Sequence, residues 1–228
     1  MILNVTLKMI LRSWWRNKVF FLVSVASLAL GLACTNLLMT YFVHEHGLEG
    51  HNPDRDRMFF LQQDDPMTEG KRVAFAGAEI PPQLKQNYAE VEDFLRLGKL
   101  DLLYCKVNEQ KVEGDFKMLS ADTTLTSFFD YRTEEGSLSQ VLCQPGKVAL
   151  SEACARRLFG EKQAVGKQVE AHFRFGEART YEVAAVLKER EQSLLQFDML
   201  IAHDPDFFWG GLTLLKLTPG TDAARLAD

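Results

Sequence analysis

The sequence is poor in the features that usually announce chemistry. It has four cysteines, Cys34, Cys105, Cys143 and Cys154, and no two of them form a CxxC pair. That spacing excludes a zinc ribbon and a thioredoxin-type motif. Four cysteines in 228 residues are also too few for a disulfide scaffold. The chain has no basic excess, since its formal net charge is −5. Nucleic acid is therefore not an expected partner, because a phosphate backbone needs a basic stripe. There is no G-x-S-x-G elbow, and no carboxylate pair stands apart from the ordinary surface acids. Heptads and low-complexity linkers are missing as well.

Two stretches imitate functional motifs. Residues 158–169 read LFGEKQAVGKQV, which looks at first like a phosphate-binding loop. The motif G-x-x-x-x-G-K-[ST] comes off a strand and opens a helix. Here Gly160 and Gly166 are separated by five residues instead of four, and Gln168 stands where the hydroxyl should be. The stretch also closes a helix and leads into a strand, so no helix N-terminus faces a phosphate. The expectation is a helix end at Gly160 and a turn at Gly166. The second stretch is His44-Glu45-His46, with His51 and Asp54 nearby. H-E-x-x-H needs two residues between glutamate and the second histidine, and none are present. Side chains two apart on a helix diverge, so no metal site is expected.

What the chain does have is one long apolar run. Val19 to Val43 is twenty-five residues without a charge. At about 1.5 Å per residue it reaches roughly 37 Å, against a bilayer core of about 30 Å. A signal peptide's apolar region is shorter and ends at a cleavage site, so this run reads as an uncleaved anchor. Residues 1–18 carry Lys8, Arg12, Arg16 and Lys18 and no acid, which leaves −9 on the remainder of a −5 chain. The positive-inside rule puts that end in the cytoplasm and the rest outside. Lys8, Arg12 and Arg16 fall at i, i+4 and i+8, and Trp14 and Trp15 lie beside them. Such a stripe suits an amphipathic helix at the inner membrane interface, either as a topology-fixing flank or as a docking helix. Within the span, Ser27, Gly31 and Thr35 share a stripe where small side chains let a second helix approach.

The outer part reads as mixed helix and strand. MFFLQQ (58–63), FLRLGK, LLYCKV, KVEGDFKMLSA, KVAL (147–150), QFDMLIA and LTLLKL are strand candidates. KQVEAHFRF and RTYEVAAVLK read as a hairpin about Gly176 and Glu177. Pro81 and Pro82 open a helix through Asn87. Residues 123–131 suggest a short helix capped by Asp122 or Thr123, and Ser151 caps another that stops at Gly160. Cys154 falls inside that last helix and reads as a buried structural thiol. The order is α+β. The expected organisation is a cytoplasmic helix over 1–18, a transmembrane helix over 19–43 and an α+β extracytoplasmic domain over 44–228.

These segments resemble, in order, the MacB/FtsX-type ABC transporter permeases. Arg12 to Lys18 fits the family's R-x-x-x-R-N-K pattern before a first span with a mid-helix glycine, here Gly31. HNPDRDRMFFL (51–61) is similar to the post-span F-H-x-x-A-D-R-I-Y-R-L segment. VALSEACARRLFGEKQAVGKQV (148–169) resembles V-V-L-S-E-x-x-A-x-K-L-F-G-x-x-x-x-x-G-K-x-I, the most specific block. Residues 118–138, 181–202 and the last seventeen follow the family pattern too. Leu194 stands where a histidine is frequent, and Ala185 where a glycine is usual.

The resemblance implies a periplasmic core domain on a permease of the bacterial inner membrane, with its N-terminus cytoplasmic. It implies no catalytic, metal or cofactor site on this chain, ATP being handled by a partner ABC-type ATPase. Other implied partners are the membrane, a second permease as homo- or heterodimer, and a periplasmic adaptor. The family continues into further spans, so the core domain is expected to extend past residue 228. The residues singled out are Lys8, Arg12, Arg16 and Lys18 at the cytoplasmic face and Ser27, Gly31 and Thr35 in the span. Efflux, lipoprotein release and envelope signalling are the roles this leaves open. The rival reading is a single-pass anchored periplasmic binding or sensor module. An anchored hydrolase has no residues to support it.

Overall fold

The computed structural model describes residues 17–47, 52–64, 71–160, 163–188, 194–204 and 210–226. The chain divides into two compact units, Met1–Leu48 and Glu49–Asp228. Among its described residues the first holds one helix, α1 (Lys18–Gly47), 30 residues long. Val19, Phe20, Leu28, Leu37 and Tyr41 are all exposed on it. None of the apolar window Lys18–Phe42 is buried. A helix apolar all round and covered by no protein is suited to lipid, and its apolar length suffices to cross a bilayer.

The second unit runs through β1 (Met58–Phe60), β2 (Gln63–Asp64), β3 (Arg72–Val73), β4 (Ala76–Gly77) and α2 (Ile80–Asn87). It continues with β5 (Val91–Val107), β6 (Gln110–Glu113), β7 (Lys117–Ala121), α3 (Leu125–Phe128), β8 (Thr133–Gly136) and α4 (Leu138–Cys143). The last elements are β9 (Lys147–Ser151), α5 (Glu152–Phe159), β10 (Gln168–Phe173), β11 (Arg179–Leu187), β12 (Met199–Ala202), β13 (Gly210–Leu217) and α6 (Ala223–Leu226). The expected α+β class holds.

Most strands join one sheet of order β1-β13-β5-β10-β11-β9-β12-β7. Because β7 also pairs β5, the strands from β5 through β7 close a ring. The sheet is mainly antiparallel, with β9–β11 and β7–β12 parallel. Successive strand side chains point to opposite faces, so one sheet serves two cores. Val148, Leu150, Met199 and Ile201 enter the first core, with Cys105, Cys154 and Leu158. Ala149 and Leu200 turn the other way into the second, against Phe128, Phe129, Leu138 and Val141. A third, smaller cluster holds Val91, Leu215 and Leu217.

FLRLGK and LLYCKV, expected as separate strands, are one 17-residue strand, β5. The register against β10 passes from Leu102↔Phe173 to Tyr104↔His172, leaving Leu103 as an extra residue. Such a bulge flips the alternation. Leu100 precedes it and Cys105 and Val107 follow it, yet all three reach the same core. The expected helix over 123–131 shrinks to α3, with Thr124 at its N-cap and no side-chain capping bond. Asp122 is engaged elsewhere, by Arg96. The strand expected over 58–63 stops at Phe60, and Gln63 belongs to the separate β2–β3 pair. The expected caps on α5 are present: the Ser151 hydroxyl accepts from the Cys154 N–H at 3.1 Å, and Gly160 adopts the left-handed conformation.

Candidate functional site

After α1, Asp54 and Arg57 are held by contacts within the second unit. The Asn52 side-chain amide donates to the Phe128 carbonyl, and its oxygen accepts the Asp54 N–H at 3.0 Å. A 3-10 turn over Arg55–Arg57 then delivers the chain to β1. The Arg57 guanidinium donates to Asp54, to Glu92 at the start of β5 and to the Leu217 carbonyl at the end of β13, this last at 2.7 Å. Lys216 completes the group. Its ammonium pairs with Asp54, lies 3.6 Å from Glu92 and reaches the Ser127 carbonyl at 3.4 Å.

Lys216 is only 7% exposed. A lysine shielded to that degree needs paired charges and hydrogen bonds to offset its lost hydration. Asp54, Glu92 and the Ser127 carbonyl supply them. The same environment acts on the partners. The Lys216 and Arg57 hydrogen bonds hold the Asp54 carboxyl below its ordinary 3.8, and the Asp54 and Glu92 hydrogen bonds raise Arg57. The incoming segment, the start of β5, α3 and the end of β13 thus meet at one point. Leu217 is followed within a few residues by α6, so the chain's path into the domain and its path beyond the last strand are joined there.

A second polar cluster sits where β5 meets the end of β7. Arg96 grips Asp122 through Nε and Nη2 at 2.9 and 2.7 Å and donates Nη1 to the Ala78 carbonyl at 3.0 Å. Every guanidinium nitrogen is used, which marks this pair as structural. The His203 imidazole nearby has its pKa lowered, first by burial and then by the Arg96 charge.

Nothing at these points resembles a catalytic constellation. Ser151 spends its hydroxyl as a cap acceptor. Burial pushes the Cys105 thiol up to about 12 and raises Cys154 as well, so neither is a thiolate nucleophile near neutral pH. Among the described residues no group of histidines, cysteines and acids is arranged for a metal ion. His51 lies outside the described residues, as do the side chains of His44 and His46.

Of the interface residues expected from sequence, Lys8, Arg12 and Arg16 lie outside the described residues. Lys18 is the first residue of α1. Ser27, Gly31 and Thr35 share one stripe of α1, where the Thr35 hydroxyl donates to the Gly31 carbonyl at 2.9 Å. A side chain added at Gly31 meets nothing within 4 Å. The joint around Lys216 went unnoticed in the sequence. Its one signal was a lysine interrupting the leucines of LTLLKL.

The profile of the MacB-like periplasmic core domain matches residues 21–228. A search of curated proteins finds no match. Among solved structures, a domain assigned to a permease protein of Porphyromonas gingivalis superposes with a TM-score of 0.61 at 18% identity, over 76% of this chain and 78% of that one. The periplasmic region of MacB from Actinobacillus actinomycetemcomitans gives 0.54 at 10% identity, over 80% and 81%. The extracellular domain of the noncanonic ABC-type transporter YknZ from Gram-positive bacteria gives 0.53 at 16% identity, over 75% and 85%. Identities this low speak to the fold.

Proposed function

We propose, from the premise that this chain belongs to the MacB-like periplasmic core domain family, that it is the permease part of an ABC-type transporter. The observation that carries the proposal is the extent of the family match, which begins inside the span at residue 21 and runs to residue 228. In this reading α1 crosses the inner membrane with the basic N-terminus in the cytoplasm, and the second unit lies in the periplasm. ATP is bound and hydrolysed by a separate ATPase. Motion generated there passes through the membrane helices to the periplasmic domain, which then acts on a cargo or partner in efflux, lipoprotein release or signalling.

The geometry supports such a relay in two ways. The incoming segment is tied directly to β13 and to β5, the strand shared by the ring and the outer sheet, so displacement of that segment reaches the frame of the domain. On α1, the small stripe Ser27, Gly31 and Thr35 offers a second permease helix a close approach. Lys8, Arg12, Arg16 and Lys18 are assigned to the cytoplasmic contact.

The test is capture of the tagged full chain from membranes under mild detergent. An ATPase with a phosphate loop should co-purify, and Gly31→Leu should loosen permease pairing while leaving the domain folded. Recovery of the chain without any ATPase, under conditions that preserve other membrane complexes, would favour the anchored sensor module instead.

A further inference from the structure

The relay reading requires some part of the domain to take up motion without slipping. We infer that Lys216 locks the incoming segment to the outgoing strand, so that the joint acts as a rigid coupling and not as a hinge. The inference rests on the relay reading for its purpose but on separate geometry for its content.

The first strand of the domain is weak by itself. β1 has three residues, and its ladder to β13 consists of Met58↔Lys216, Phe59↔Leu215 and Phe60↔Leu214. Phe59 and Phe60 are each 40% exposed, so of its three side chains only Met58, packed against the second core, helps to fix its register. A strand so short, pulled from its N-terminal side, would slide or peel. The charge ring opposes that slide. Asp54 joins Lys216, Lys216 joins Glu92, Glu92 joins Arg57, and Arg57 returns to Asp54. The ring straddles the three segments that would have to separate: the incoming turn, the start of β5 and the end of β13.

Lys216 is the member that makes the ring cooperative. Removing its ammonium leaves Asp54 and Glu92 each short of one partner, with Arg57 alone left to hold the two together. Charges in one network of this kind couple, whereas isolated surface pairs contribute little. Arg57 adds a bond to the Leu217 carbonyl, which ties the ring to backbone as well as to side chains. The Ser127 carbonyl binds α3 into the same assembly.

The experiment is hydrogen exchange on the full chain in lipid nanodiscs, comparing wild type with Lys216→Met, which keeps most of the apolar stem. The reporters are the Leu61 amide, which bonds to the Thr213 carbonyl across β1 and β13, and the Thr218 amide, which bonds to the Glu90 carbonyl. The amide of Ile201, buried in β12, reports global opening. In wild type, Leu61 and Thr218 should exchange in step, as one cooperative unit. In Lys216→Met, Leu61 should exchange about tenfold faster or more, with Ile201 unchanged. Acceleration of all three together would make Lys216 a general stability residue, and no change at Leu61 would make the ring idle. Either overturns the inference. Should Lys216→Met fail to fold, Arg57→Gln breaks the same ring from its more exposed side and is read the same way. No ATPase or cargo enters the measurement, so its failure leaves the relay reading standing, and failure of that reading leaves this result interpretable.

Discussion

Two glycines with nearly the same backbone conformation should respond very differently to alanine. Gly136, at the end of β8, has φ +79, and Gly160, after α5, has φ +76. An L side chain in this left-handed region costs roughly 1–2 kcal/mol at either site. At Gly160 the added Cβ meets nothing within 4 Å, so that strain is the whole effect. At Gly136 the Cβ would lie 2.1 Å from the Ala184 carbonyl oxygen and 3.0 Å from the Ala185 Cα. Both atoms belong to the backbone of β11, inside the ring, and cannot give way as a flexible side chain would. Relief requires β8 to part from β11. That sacrifices the bonds from Ser137 N–H to the Ala184 carbonyl at 3.0 Å and from Lys188 N–H to the Arg132 carbonyl at 2.9 Å. At about 1 kcal/mol each, with the strain added, Gly136→Ala should cost about 3–4 kcal/mol, against about 1–2 for Gly160→Ala. For a domain of this size the difference, about 2 kcal/mol, amounts to about 4–8 °C in melting temperature. Thermal denaturation of both variants, followed by the sheet's circular dichroism, reads it directly. Equal losses at the two positions would refute the reasoning that β8 is clamped against β11.

Acid should loosen the joint before it unfolds the core. Asp54 has its pKa lowered in the folded state, so its contribution is complete above its ordinary 3.8 and is lost as pH falls through the lower folded value. The protection of the Leu61 amide, measured against its intrinsic exchange rate at each pH, should therefore fall below about pH 4, and Asp54→Asn should flatten that limb. Phe128 is 1% exposed and its carbonyl receives the Asn52 amide. Phe128→Ala should cost about 3–5 kcal/mol by urea denaturation, a loss under 1 arguing against its place in the second core. Thiol labelling of the native chain should modify exposed Cys143 and spare Cys105 and Cys154 until denaturant is added. Native labelling of either buried thiol would contradict the closed first core.

What could be read from the sequence was local. Ser151 and Gly160 bracket α5 because a cap needs only its own neighbours, and the β10–β11 hairpin turns within a few residues. The long strand was missed because one extra residue, Leu103, shifts the alternation and makes a single strand look like two. Asp122 looked like a helix cap because aspartate before a short apolar run usually is one. Its actual partner, Arg96, is 26 positions away. The joint was the least visible of all. Arg57 and Leu217 are 160 positions apart, and a lysine among leucines in a strand shows its purpose only once Asp54 and Glu92 arrive beside it. The long apolar helix and the family resemblance were visible because both are written in contiguous residues.

The central claim is that the second unit stands outside the cytoplasm and moves when ATP is spent inside. Cys143 provides a native reporter, being exposed on that unit. In a Cys34→Ser background, a membrane-impermeant maleimide spin label should reach Cys143 in intact spheroplasts and fail to reach it in sealed inside-out vesicles. With the label in place and the ATPase present, ATP supplied at the cytoplasmic face should change the spectrum, and a non-hydrolysable analogue should hold one of the two states. Labelling only from the cytoplasmic side, or a spectrum indifferent to ATP with an active ATPase bound, would contradict the account.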